Sequence, residues 1–197
     1  MGILTGMSRA KVSSRSCAIL MIIAALGITP CGAVADESLE HAVEAAFLYK
    51  FGRFVDWPQS AFISPTSPFN LCVVGDDPFD GTLDKVVEGE LVNGHNIVVH
   101  RLKSVGKNSG CHILYVGGSD ARQADQIIAD VRGSNILTVS NFGGSRTDAG
   151  IIDFVVANNH VRFNIDDEAA AKNELVISSK LLNLALNVRQ RAAKENR

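Results

Sequence analysis

The sequence lacks the short patterns around which most catalytic sites are built. It has no Gly-x-Ser-x-Gly elbow for a nucleophilic serine and no glycine-rich phosphate loop that ends in Lys-Ser or Lys-Thr. Its histidines are scattered, and no two of them stand four residues apart, the spacing of a helical zinc site. They are His41, His95, His100, His112 and His160. We therefore predict a protein that is not an enzyme and that needs no metal or cofactor.

Cysteine is also scarce, and two of the four cysteines lie in an N-terminal segment with the pattern of a secretory signal peptide. Three basic residues precede an apolar run of twelve residues, 17–28, and the small residues Ala33-Val34-Ala35 follow. The run is too short to span a bilayer, so we expect cleavage before Asp36 and removal of residues 1–35. A lipid-modified Cys31 and an uncleaved anchor are the alternatives.

Removal of this segment leaves 197 − 35 = 162 residues, a length typical of a single domain. Without the three basic residues of the leader, 19 − 3 = 16 Lys and Arg stand against 21 Asp and Glu, a net charge of −5. No basic cluster remains, so nucleic-acid binding is not expected. The two remaining cysteines, Cys72 and Cys111, predict one disulfide in an exported chain, with a metal site or a redox pair as weaker alternatives.

Two uncharged and largely apolar segments, residues 69–75 and 111–117, indicate strands that are buried on both faces. After the second, a helix that begins at Ser119 or Asp120 leads to a strand at residues 136–140, which predicts parallel pairing. Residues 151–157 and 160–165 flank Asn158-Asn159 and predict a hairpin. The predicted fold class is α/β, with a mixed, partly parallel β-sheet flanked by helices, in a single domain with one disulfide.

Apolar residues recur at helical spacing near both ends of the mature chain. At the first end they predict a helix over residues 36–57, which stops before Pro58. At the second end they predict a helix that begins at Ser178 or Ser179 and continues to Val188. Each apolar face either packs on the sheet, which we favour, or binds a partner protein. The candidate partner-binding residues are Phe47, Phe51, Phe54, Trp57, Leu182 and Leu186.

Two adjacent carboxylates, Asp76 and Asp77, directly follow the first buried strand. Open α/β sheets bind ligands beyond the carboxyl ends of their strands. These residues are therefore candidate ligands for a cation or for the amine of a small molecule. A solvated turn is the alternative interpretation.

Several segments resemble the YfiR family of exported bacterial proteins, in the same order along almost the whole mature chain. They are AAFLYKF (45–51), FVDWP (54–58), CVVGDDPF (72–79), CHILYV (111–116), LTVS (137–140), GIIDF (150–154), VRFNI (161–165), AA (169–170) and LVISSKLL (175–182). The cysteine pair of the family falls on Cys72 and Cys111. Residues 141–154 contain no cysteine. A second pair found in some members, and the redox sensitivity attached to it, is therefore not expected here.

The resemblance implies that residues 36–197 form a periplasmic α/β protein, often dimeric, that inhibits a membrane-bound diguanylate cyclase by binding its periplasmic sensor domain. It further implies lower cyclic-di-GMP, less biofilm, and relief of inhibition by an outer-membrane, peptidoglycan-binding lipoprotein. The alternative is a periplasmic small-molecule-binding protein that uses the strand-end loops at residues 75–80, 117–120 and 141–150. A secreted hydrolase has less support, because no nucleophile and base are evident.

Overall fold

The structure is a computed structural model that describes residues 32–118, 120–143 and 150–191, with side chains from Glu37 onward. The chain divides into Met1–Cys31 and one compact unit, Gly32–Arg197. Most of the predicted signal peptide therefore lies outside the described residues, and its last four residues, 32–35, belong to the first helix. No helix in the described ranges is both long enough and apolar enough to cross a membrane.

The helices are α1 (Gly32–Phe51), α2 (Thr82–Val87), α3 (Ala121–Asp130), α4 (Asp167–Lys172) and α5 (Ser179–Leu182). The strands are β1 (Val55–Asp56), β2 (Phe69–Val74), β3 (Leu91–Val92), β4 (His95–Leu102), β5 (Ile113–Val116), β6 (Leu137–Ser140), β7 (Ile152–Ala157), β8 (His160–Asp166), β9 (Val176–Ile177) and β10 (Asn187–Arg189). One sheet has eight strands in the order β10-β8-β7-β6-β5-β2-β4-β3, and β1 pairs with β9 separately.

The centre of the large sheet is parallel. Strands β4, β2, β5, β6 and β7 are neighbours in that order, and each pairs parallel with the next. Numbered along the chain, this order is 2-1-3-4-5, which is the strand order of flavodoxin-like sheets. Strand β8 pairs antiparallel with β7, and β3 pairs antiparallel with β4. The prediction of a mixed, partly parallel sheet is therefore confirmed.

Successive residues of β2 belong to two separate hydrophobic cores. Leu71 and Val73 lie in the larger core, to which α1 and α2 contribute residues such as Leu48. Cys72 and Val74 lie in the smaller core, which α3 covers. Because helices cover both faces of the sheet here, the strand is apolar throughout instead of alternating between apolar and polar residues.

The predicted disulfide between Cys72 and Cys111 is confirmed. Cys72 lies on β2 and Cys111 lies just before β5, with their Cα atoms 5.9 Å apart. Both cysteines are buried in the smaller core. Because the two residues are 39 positions apart, the cross-link stabilises the fold by about 4 kcal/mol on the chain-entropy account.

Two local predictions are confirmed at the level of single residues. Asp120 caps α3, because its carboxylate accepts hydrogen bonds from the backbone N–H groups of Arg122 and Gln123. Asn158 and Asn159 have positive φ angles of 53° and 60°, as a two-residue hairpin turn requires, and they join β7 to β8.

The first helix ends earlier than predicted, at Phe51 instead of Trp57. The next residues, Gly52–Phe54, form a 3-10 turn, and Val55 then pairs with β9. A Cβ atom on Gly52 would lie only 3.0 Å from a methyl group of β3, so the absence of a side chain permits close packing at the bend. Pairing with a strand more than a hundred residues away overrides the local helical periodicity.

The prediction of a long C-terminal helix is wrong beyond the first turn. Ser178 caps α5 as expected, but the helix ends at Leu182. The chain then becomes strand β10, which pairs parallel with β8 and places Asn187 opposite Asn164. Pairing satisfies backbone groups along the edge of β8, and this tertiary contact outweighs the helical propensity of the leucine-rich segment.

Candidate functional site

The parallel sheet contains a crevice between the carboxyl ends of β2 and β5. From these strands the chain continues into helices on opposite faces of the sheet, α2 after β2 and α3 after β5. Open α/β sheets bind ligands at such a switch point. The crevice has a volume of about 190 Å³. Its lining consists of Gly75, Asp76, Gly117, Gly118, Asp120, Gln123 and Ala124.

Two glycines bring these strand ends into backbone contact. A Cβ atom on Gly75 would lie 2.1 Å from the carbonyl oxygen of Gly117, and one on Gly117 would lie 2.0 Å from the carbonyl oxygen of Asp76. Gly75 also has a φ of +82°, which a side chain would strain. Both glycines are therefore needed for the two loops to meet beside the crevice.

The two predicted ligand residues, Asp76 and Asp77, have different surroundings. Asp76 lines the crevice. Asp77 instead accepts hydrogen bonds from Arg101 Nε at 2.7 Å and from the Phe79 N–H at 2.9 Å. Arg101 also donates to both carboxylate oxygens of Asp84, which lowers the pKa of Asp84. Asp77 is thus part of an ion-pair cluster around Arg101 of β4. Asp76 is the one of the two aspartates that is placed to contact a ligand.

A buried carboxyl group, that of Glu44, was not among the predicted site residues. Its Oε1 accepts a hydrogen bond of 2.7 Å from Asn141 just after β6, and its Oε2 has no partner in the described part of the chain. Burial, to which the charge of Glu40 adds, raises the pKa of Glu44 to about 8. The carboxyl group is therefore mainly protonated at pH 7 and ties α1 to the end of β6. Glu44 stands four residues before Leu48, on the buried side of α1, and this spacing is the sequence signal that could have predicted its burial.

His112 lies in a stack of rings at the amino ends of the strands. Phe62 and Phe69 lie on either side of it, with ring centroids 4.4 Å and 4.8 Å away, and His95 stacks on Phe62 at 4.5 Å. The His112 Nδ1 accepts a hydrogen bond of 3.0 Å from the Asn70 N–H. Burial lowers the pKa of His112 to about 4. A neutral imidazole enclosed in this way is a packing group, and its protonation would weaken the fold.

The predicted partner-binding aromatic residues lie mainly in the larger core. Phe51 is buried, and its ring centroid is 5.8 Å from that of Phe47 and 5.1 Å from that of Phe163. Phe54 and Trp57 are partly buried against the same core. The Trp57 indole N–H also donates a hydrogen bond of 3.0 Å to a backbone carbonyl just before β6. A partner protein could therefore contact only part of the surface of these side chains.

The other two predicted partner residues lie on residues 182–186, which run from the last residue of α5 to the start of β10 and which we call the leucine segment. Leu182 packs partly against the larger core. Leu186 is 46% exposed, and Leu184, which was not predicted, is 58% exposed. The Leu186 N–H donates a hydrogen bond of 2.8 Å to the Phe163 carbonyl, so the backbone is fixed beneath the exposed side chains. Exposed leucines on a fixed backbone are typical of interaction surfaces.

A second exposed apolar surface lies along the outer side of α1. Leu39 is 64% exposed and Val43 36%, and Val156 of β7 is 54% exposed. A groove of about 420 Å³ separates the helix from the β7–β8 hairpin, and Phe47 and Val161 complete its apolar lining. We call this feature the α1 groove. Its apolar walls suit a protein side chain better than a polar small molecule.

Within the described residues, no three His, Cys, Asp or Glu side chains are grouped as a metal site requires. The sequence pattern of the YfiR/HmsC-like family matches residues 41–186, which cover every strand except β10. This family is known for proteins that regulate diguanylate cyclases. These regulators are generally not enzymes themselves. With three quarters of its length matched, the chain belongs to the YfiR/HmsC-like family.

Proposed function

We propose that the protein is a periplasmic regulator without enzymatic activity that inhibits a membrane-bound diguanylate cyclase by binding its periplasmic sensor domain. Inhibition lowers cyclic-di-GMP and biofilm formation. The family match over residues 41–186 is the observation that carries this proposal. The proposal includes a homodimer, and relief of inhibition by an outer-membrane, peptidoglycan-binding lipoprotein that sequesters the protein.

The disulfide supports a periplasmic location. Disulfides persist in oxidising compartments such as the periplasm and are rare in the cytosol. The bridge joins Cys72 of strand β2 to Cys111 just before β5, and both cysteines are buried in the smaller core. This structural bridge agrees with export through the predicted signal peptide.

We assign contact with the cyclase to the leucine segment. Of the predicted partner residues, Leu182 and Leu186 fall here, next to the exposed Leu184. Ion pairs hold the chain just beyond it, since Arg189 pairs with Asp166 at 2.7 Å and a second arginine pairs with the start of α4. A fixed segment loses little conformational entropy on binding, which favours affinity.

Cellular cyclic-di-GMP tests both the function and this surface. A strain that lacks the gene is complemented with the wild type, with a version that lacks residues 2–35, or with the double variant Leu184→Glu and Leu186→Glu. We expect cyclic-di-GMP to rise on deletion and to return to normal only with the wild type. Val176→Glu, at a half-exposed valine on β9, is the matched control and should restore inhibition.

The outcomes of this experiment separate the two claims. If deletion leaves cyclic-di-GMP and surface attachment unchanged, inhibition of a cyclase is contradicted. If the double leucine variant is present at normal levels and still inhibits, only the assignment of the leucine segment is lost.

The strand-end crevice favours a second candidate function, the binding of a small ligand. The crevice lies at the switch point of the sheet, and Asp76 lines it. Its volume of about 190 Å³ is below the range of about 300–1,000 Å³ typical of drug-sized ligands, so a small amine is the fitting class. Small amines should raise the melting temperature of the wild type but not of Asp76→Asn. A screen in which none of them stabilises the wild type would exclude this candidate.

A further inference from the structure

Helix α1 carries apolar residues on two opposite sides. Its inner side packs into the larger core through Leu48 and Phe51, which are buried. On its outer side Leu39 and Val43 are exposed four residues apart, and the partly buried Ala46 continues the same stripe. A surface helix normally carries polar residues on its outer side. An apolar stripe in this position indicates a surface that a partner covers.

This outer surface contains both a protruding side chain and a groove that can receive one. Leu39 is the most exposed apolar residue of the stripe, and it forms part of the wall of the α1 groove. Phe47 and Val161 lie within the groove lining, on the helix and on the hairpin. A surface that offers a knob and a hole side by side can bind a copy of itself, as a twofold symmetric interface requires.

The charges along α1 fix the direction of such pairing. Glu37 and Glu40 are the sixth and the ninth of the twenty residues of the helix, and Lys50 lies in its last turn. Glu40 and Lys50 are ten residues apart in one helix, about 15 Å along its axis, so they cannot pair within one chain. A second helix packed in the antiparallel direction brings the two glutamates of each chain toward Lys50 of the other. A parallel arrangement would instead place like charges together.

We propose that two copies of this chain pair through the outer side of α1, with the helices antiparallel about a twofold axis near Val43. Leu39 of each copy enters the α1 groove of the other, next to Phe47. Glu40 of each copy lies within about one helical turn of Lys50 of the other. The inference rests on the homodimer included in the proposed function, and it names the surface that forms it.

Cysteine cross-linking tests the position of the axis, because only a residue beside a twofold axis meets its own copy. The purified protein with Val43→Cys is oxidised mildly with copper phenanthroline in air and analysed on a non-reducing gel. We expect a covalent dimer in high yield, with the native disulfide intact by mass spectrometry. Val176→Cys, an equally conservative change at a half-exposed valine on β9, is the control and should remain monomeric.

Charge reversal tests the direction of pairing. Glu40→Lys and Lys50→Glu should each weaken self-association about tenfold in sedimentation equilibrium, since each places like charges together across the interface. The double variant should restore the wild-type dissociation constant, because it exchanges the charges without changing their complementarity. The reversed pair Glu168→Lys and Lys172→Glu on α4, which forms a salt bridge within one helix, is the control and should not affect association.

Several results would overturn the proposal. A protein that sediments as a monomer at every concentration excludes the dimer. A dimer that Val43→Cys does not cross-link, or that the double charge reversal does not restore, uses another surface. None of these results changes the cyclic-di-GMP test, so loss of the dimer and loss of the proposed function are recognised separately.

Discussion

The buried imidazole of His112 makes the stability of the fold depend on pH. Burial lowers its pKa in the folded chain from 6.5 to about 4. Below pH 6.5 the unfolded chain binds a proton that the folded chain does not accept until the pH approaches 4. The free energy of unfolding therefore falls as the pH is lowered from 6.5 toward 4, and the contribution of His112 is complete only above pH 6.5.

The size of this effect follows from the two pKa values. Between pH 7.5 and pH 4 the linkage relation gives a loss of about 3 kcal/mol. A typical domain has a total stability of about 5–15 kcal/mol, so this one side chain removes a substantial share. The packing of Phe62, His112 and Phe69 should accordingly contribute less to the free energy of unfolding in acid than at neutral pH.

Urea unfolding of the wild type and of His112→Phe at pH 7.5, 6, 5 and 4 measures this dependence. Phenylalanine keeps the stacking but leaves the Asn70 N–H unpaired, a pH-independent cost of about 1–2 kcal/mol. We expect the variant to be less stable at pH 7.5, and the difference to shift by about 3 kcal/mol in its favour by pH 4. His160→Phe, at an exposed histidine, is the control. If the difference in stability between the wild type and His112→Phe stays constant over this range, His112 is not the source of the acid sensitivity.

Other substitutions test the remaining features of the fold. Because burial raises the pKa of Glu44 from 4.5 to about 8, the free energy of unfolding should fall as the pH rises through this range, and Glu44→Gln should abolish that fall in a urea series. Replacing Cys72 and Cys111 by alanine should lower the free energy of unfolding by about 4 kcal/mol, and a loss below about 1 kcal/mol would contradict the chain-entropy account. Gly117→Ala should destabilise by on the order of 2–3 kcal/mol, because its Cβ would meet a backbone oxygen, whereas Gly106→Ala, with open space around it, should be neutral in thermal unfolding.

The central strands could be predicted because their signals are local. The segments around Cys72 and Cys111 are uncharged and largely apolar, as burial on both faces of a sheet requires. The turn at Asn158-Asn159 and the cap at Asp120 depend on residue types that favour these conformations by themselves. Such signals need no knowledge of distant parts of the chain.

The errors arose where distant segments decide the local structure. Val55 lies in a segment that was predicted to be helical, but it pairs with β9 in a strand. Asn187 likewise pairs with β8 in a strand. No periodicity within either segment reports these contacts. In both segments leucine or phenylalanine recurs at helical spacing, so the sequence pattern favoured helices. Backbone pairing with a distant strand was the stronger interaction.

The candidate surfaces also combine features that local sequence predicts with features that depend on distant contacts. Leu182 and Leu186 were predicted from an apolar pattern, yet Leu184 is the most exposed member of the leucine segment once the chain is a loop and not a helix. The α1 groove could not be predicted, because its two walls come from α1 and from the β7–β8 hairpin, which are joined only in the folded chain.

Direct inhibition of the cyclase from the periplasmic side can be measured in spheroplasts. The outer membrane of the deletion strain is removed, and the purified, disulfide-bonded protein is added outside the cells, where it can reach only the periplasmic face of the cyclase. We expect intracellular cyclic-di-GMP to fall with the wild type and with the Val176→Glu control but not with the double leucine variant. If cyclic-di-GMP is the same with the wild type as with buffer alone, the protein does not inhibit the cyclase directly from the periplasmic side.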